Sequence, residues 1–124
     1  MKRLAVTALA LAALEVQACG VCIDDKIASC YDHAVVTNAK AKGHAVAFYA
    51  IKGDLVRSRE TRDAVLAAIA ALPGVERASG RVSLENAALS FAFDPARTTP
   101  EAAGRELGRR LGAKALTLSL LRTM

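Results

Sequence analysis

Two hydrophobic periods alternate along the chain, and the switches between them mark out its elements. From Ile23 to about Lys42 the apolar positions Ile27, Tyr31, Ala34 and Val35 recur at i, i+4, i+7 and i+8, the spacing of one helical face. Asp24 and Asp25 at its start and Lys40 and Lys42 at its end complement the helix macrodipole, and Gly43 is a stop signal. One continuous helix over 23–42 is therefore expected, with His44 just past its end. Ala45 to Ile51 (A-V-A-F-Y-A-I) is a short apolar run that reads as a buried strand, and Lys52-Gly53-Asp54 turns the chain. Ser58 can cap a helix from about Arg59 to Leu72, with Val65, Leu66, Ile69 and Leu72 on one face and Pro73-Gly74 closing it. Arg81–Leu84 and Ala88–Phe93 alternate on either side of Glu85-Asn86-Ala87, predicting a hairpin whose single buried face carries Leu89, Phe91 and Phe93. Thr99-Pro100-Glu101 opens another helix with Ala103, Leu107 and Leu111 inward, ended by Gly112. Ala115 to Leu121 alternates again, a last strand with Leu116, Leu118 and Leu120 inward.

From His44 onward the order is strand, helix, strand, strand, helix, strand. This predicts an α+β fold of the ferredoxin-like βαββαβ kind, a four-stranded antiparallel sheet with two helices on one face. The division expected is residues 1–18 as a signal peptide, 19–43 as an added N-terminal helix carrying the three cysteines and His33, and 44–124 as the ferredoxin-like domain. Ala47, Tyr49, Ile51 and Ala92 would then lie on the outer face of the sheet, to be covered by the added helix through Ile27, Tyr31 and Val35 or by a partner protein.

The first residues change the picture of where the protein works. Met1-Lys2-Arg3 is a positive n-region, Leu4 to Leu14 is apolar, and Val16-Gln17-Ala18 leads to Cys19, the pattern of a secretory signal peptide. The apolar run is too short to cross roughly 30 Å of hydrocarbon. An exported protein, periplasmic if bacterial, is expected. Because Cys19 would become the mature N-terminus, a lipoprotein anchored through Cys19 is the alternative, and only then would the protein meet a membrane. Loss of Lys2, Arg3 and Glu15 leaves 15 Lys+Arg against 11 Asp+Glu, a mild and dispersed excess. With only Tyr31, Phe48, Tyr49, Phe91 and Phe93 as aromatics, no basic–aromatic interleaving points to nucleic acid.

Residues 45–124, about two thirds of the chain, resemble the heavy-metal-associated domain family, small modules that carry Cu(I), Zn(II) or related ions for transport ATPases and chaperones. The resemblance rests on the element order, on V-x-x-A-x-G-R-V-S-L from Val75 to Leu84, and on F-D-P-A-R from Phe93 to Arg97. It implies a ferredoxin-like fold, a soft metal ion as cargo and a metal-transport or acceptor protein as partner. The family places M-x-C-x-x-C between its first strand and first helix. Here that loop runs from Ile51 to Ser58 and has no cysteine. A Cys-x-x-Cys stands upstream instead, at Cys19 and Cys22.

All three cysteines and both histidines lie between Cys19 and His44. Cys19 and Cys22, three residues apart at the head of a helix, can chelate one soft ion, with Cu(I) favoured over four-coordinate Zn(II). Cys30 and His33, i and i+3 on the expected helix, form a second candidate half-site. Eight residues of unbroken helix would hold Cys22 about 12 Å from Cys30, too far for a shared ion. His44 reads first as a cation at a helix C-terminus. An odd cysteine count in an exported chain leaves at least one thiol unpaired within it. No serine motif or paired-carboxylate site rises above this, so an enzyme is not expected. The reading is an exported soft-metal carrier or buffer. The alternatives are a thiol–disulfide protein using Cys19 and Cys22 and a non-catalytic interaction domain.

Overall fold

The computed structural model describes the backbone of residues 16–124 and the side chains from residue 23 onward. The expected signal peptide falls largely on residues 1–15, outside the described residues. The elements are α1 (Val16–Cys30), α2 (His33–Ala41), β1 (Ala45–Lys52), α3 (Arg59–Ala70), β2 (Arg81–Ser83), β3 (Ala88–Phe93), α4 (Pro100–Arg110) and β4 (Thr117–Thr123). Over the described residues the fold is α+β, a four-stranded antiparallel sheet in the order β2-β3-β1-β4 with four α-helices.

The helix expected over 23–42 is two helices. Asp32 leaves helical geometry at φ −130°, ψ 113°, and its carboxylate accepts the backbone N–H groups of Ala34 and Val35 to cap α2. An aspartate that satisfies the first N–H groups of a new helix competes with continuation of the old one. Arg81 Nε donates to the other Asp32 oxygen at 2.9 Å and fixes the joint against β2. Ser58 and Thr99 cap α3 and α4 as expected, each accepting a backbone N–H three residues on, and Pro100 is the first residue of α4.

The sheet is buried on both faces. On one side Ala47, Tyr49, Ile51, Leu89, Phe91 and Phe93 pack against Val65 and Ile69 of α3 and Ala103 and Leu107 of α4. On the other, Val46, Phe48, Ala88 and Ala92 pack against Ile27 and Cys30 of α1 and Val36 and Ala39 of α2. Two expectations change here. The hairpin face opposite Leu89, Phe91 and Phe93 is also buried, since all six residues of β3 are. Ala47, Tyr49 and Ile51 belong to the α3/α4 side, while Val46 and Phe48 meet the added helices. Those helices cover the sheet through Ile27, Cys30, Val36 and Ala39. Tyr31 stacks over Phe48 at 6.5 Å yet stays exposed, and Val35 is only partly buried.

The last strand starts later than expected. Ala115 takes a left-handed φ of 55°, Leu116 is buried just before the strand, and β4 begins at Thr117. Its register against β1 shifts between Phe48, opposite Arg122, and Tyr49, opposite Leu120, so that Leu121 has no partner. Leu118 packs toward the α3/α4 side and Leu121 toward the α1/α2 side, while Leu120 is exposed rather than inward.

Candidate functional site

The backbone of Cys19 and Cys22 lies within α1, three positions apart; their side chains fall outside the described residues. Cys30 closes the same helix. It is 3% exposed, and its Sγ donates to the carbonyls of Lys26 (3.3 Å) and Ile27 (3.8 Å). Burial pushes its thiol pKa up, against a smaller opposing pull from Ser90. The Ser90 hydroxyl donates to the Cys30 carbonyl at 2.8 Å, so the helix end is tied to β3 where no further turn can satisfy it. Cys30 is a free thiol turned into the core.

His33 opens α2 and is exposed. Its ring nitrogens lie 3.3 Å from Tyr31 Oη and 3.4 Å from Thr37 Oγ1. The break at Tyr31-Asp32 therefore corrects the placement of Cys30 and His33 one turn apart on a single helix: one faces the core and the other solvent. The break comes after Cys30, so the eight residues from Cys22 to Cys30 remain within α1, keeping their backbones about 12 Å apart along the axis. His44 lies just beyond α2, with Nδ1 2.8 Å from Glu76 Oε1 and Nε2 3.9 Å from Asp94 Oδ2. Glu76 also takes Lys42 at 3.3 Å. The sequence paired His44 with a helix end but gave no sign of these carboxylates, which come from distant turns. Among the described residues no group of three or more His, Cys, Asp or Glu is placed to hold a metal ion.

Hydrogen bonds tie the loop between β1 and α3 to the β2–β3 turn. Arg57 Nε donates to the Leu84 carbonyl at 3.2 Å and Nη2 to that of Glu85 at 3.3 Å. Lys26 of α1 reaches the same turn, donating to the carbonyls of Asn86 and Ala87. Cys22 precedes Lys26 by four residues, about 6 Å along the helix axis. α1 is thereby anchored, through Lys26 in its C-terminal half, at the end of the sheet that carries the β1–α3 loop.

No protein-family model, no curated protein and no solved structure matches this chain.

Proposed function

We propose that this chain is an exported, non-enzymatic carrier or buffer of a soft metal ion, with Cu(I) as the favoured cargo and Zn(II) second, held by Cys19 and Cys22. The observation that carries this reading is the continuity of α1 from Val16 to Cys30. Residues i and i+3 of a helix share one face, a spacing from which two thiolates can converge on one ion, while Cys30 is sealed in the core two turns further on. Cys30 and His33 then take no part in that site. Two ligands suit Cu(I) better than tetrahedral Zn(II).

The chain order βαββαβ and the strand order β2-β3-β1-β4 support a ferredoxin-like domain over residues 44–124, in keeping with the resemblance to heavy-metal-associated modules. The anchoring of α1 beside the β1–α3 loop supports a displaced pair serving the end of the domain where such modules hold their ion. A metal-transport or acceptor protein would be the partner. The interaction-module reading loses ground, because the sheet face it needed is covered by α1 and α2.

Cu(I) titration of the reduced chain against a competing chelator tests the proposal. Cys19→Ser with Cys22→Ser should weaken binding by well over tenfold, more than ~1.4 kcal/mol, and X-ray absorption should report two sulfur neighbours. Parent-like affinity in the double variant would overturn it. A thiol–disulfide role predicts instead mixed disulfides trapped at Cys19 or Cys22 with no metal dependence.

A further inference from the structure

An open groove of about 530 Å³ lies between the start of α3, the end of α1 and the β2–β3 hairpin. Three arginines line it, Arg57, Arg59 and Arg62, against one carboxylate, Glu85. Among the described cations outside the groove, Lys26, Lys40, Lys52, Arg77, Arg97, Arg105 and Lys114 have no carboxylate within 4.0 Å, whereas Lys42, Arg81, Arg109, Arg110 and Arg122 each sit within 4.0 Å of one. Among the described residues none of the groove arginines does, although Glu60 and Asp63 alternate with them along α3. Arg57 is held by its two carbonyl bonds, and its Nη1 has no hydrogen-bond partner among the described residues. Arg59 and Arg62, i and i+3, share a helix face.

The groove's hydroxyls sharpen the chemistry. Ser83 Oγ accepts from both the backbone N–H and the side-chain amide of Asn86, each at 3.3 Å, and its own proton has no acceptor among the described residues. Ser29 differs, since its hydroxyl is already given to the Lys26 carbonyl at 2.7 Å. The groove thus offers guanidinium forks and a free O–H, nearly all donors, over apolar walls from Val82 and Leu84. An acceptor-only oxyanion on an organic body satisfies that set, and guanidinium forks bind phosphate in a bidentate manner. The volume falls within the range of small-molecule sites.

We propose that this groove binds a phosphate-bearing small molecule through Arg59, Arg62, the free end of Arg57 and Ser83. The site is separate from the cysteine pair, and its fate does not depend on the metal reading. The test is a titration of the full ¹⁵N-labelled chain, at fixed ionic strength, with phenyl phosphate, inorganic phosphate and phenol in separate arms. Phenyl phosphate should move the Ser83 and Glu85 amides and the Arg59 and Arg62 Nε–H signals in a saturable way. Inorganic phosphate should bind the same residues more weakly, and phenol should leave them still. Arg59→Ala with Arg62→Ala should weaken phenyl phosphate binding at least about tenfold, as loss of two charge-assisted forks implies. Arg105→Ala with Arg109→Ala, an equal charge loss on α4, should leave binding unchanged. Equal weakening by both double variants, or shifts spread over all arginines without saturation, would overturn the proposal. So would parent-like affinity in the Arg59/Arg62 variant.

Discussion

Cys30 and Asp32 sit two residues apart and do opposite work. The buried Cys30 thiol, with its pKa pushed up, is a poor nucleophile in the folded chain. A disulfide reagent should modify it only as fast as the protein opens, and added urea should speed the reaction steeply. Cys30→Ser should lower stability by about 1–3 kcal/mol, because a hydroxyl replaces sulfur in an apolar cluster, while leaving Cu(I) affinity at the parent value. Asp32 carries its charge at the joint. The Arg81 guanidinium beside it, with the two α2 N–H groups, holds its carboxyl below the ordinary value of 3.8. A depressed folded-state pKa contributes stability that is complete above the unfolded-state value and is lost as pH falls through the folded one. Asp32→Asn keeps a capping oxygen but not the charge. The gap in urea midpoint between parent and variant should thus be constant near neutrality and shrink below pH 3.8, with a flat gap counting against the Arg81 pairing.

At the scale of elements, two glycines of α4 separate packing from propensity. A Cβ on Gly104 would lie 2.8 Å from Tyr49 Cε2, and Tyr49 is buried, stacked on Phe91 at 5.2 Å, with its hydroxyl donated to the Pro100 carbonyl at 2.5 Å. Gly104→Ala should cost about 1–3 kcal/mol through overpacking. Gly108 meets nothing within 4 Å, so Gly108→Ala should stabilise by about 0.5–1 kcal/mol. Thermal melts of the two variants should move in opposite directions. The elements most legible in the sequence were those with strong local punctuation: Ser58 before α3, Thr99-Pro100 before α4, and the β2–β3 hairpin. The faces of β1 were not legible. A-V-A-F-Y-A-I is apolar at every position, and in a strand buried on both sides the parity of the pattern carries no information about which helix layer each residue meets. The split of the first helix was also hidden. Ile27, Tyr31 and Val35 keep a helical period straight through it, and the signal that mattered was the capping capacity of Asp32. The spacing of Cys19 and Cys22 could be read directly, whereas the opposite orientations of Cys30 and His33 followed from that break.

Across the whole molecule, α1 and α2 are half of the sheet's covering. A chain beginning at Gly43 would present Val46, Phe48, Ala88 and Ala92, all buried here, to water. Such a truncation should bind a hydrophobic dye and aggregate at concentrations where the full chain stays clear, and a monodisperse truncation would mean that the second cluster is dispensable. The charge excess makes little difference to that outcome, because the exposed face would be apolar. The irregular pairing of β4 bears on a different risk. β4 is seven residues long and, among the described residues, forms one border of the sheet, with Leu120 exposed on it, Met124 exposed just beyond it, and Arg122 as its one charge to deter another strand. The unpartnered Leu121 bends that border out of the flat, evenly spaced ladder that a stacking chain must copy. A single surplus residue thereby guards the protein against becoming the seed of its own fibre.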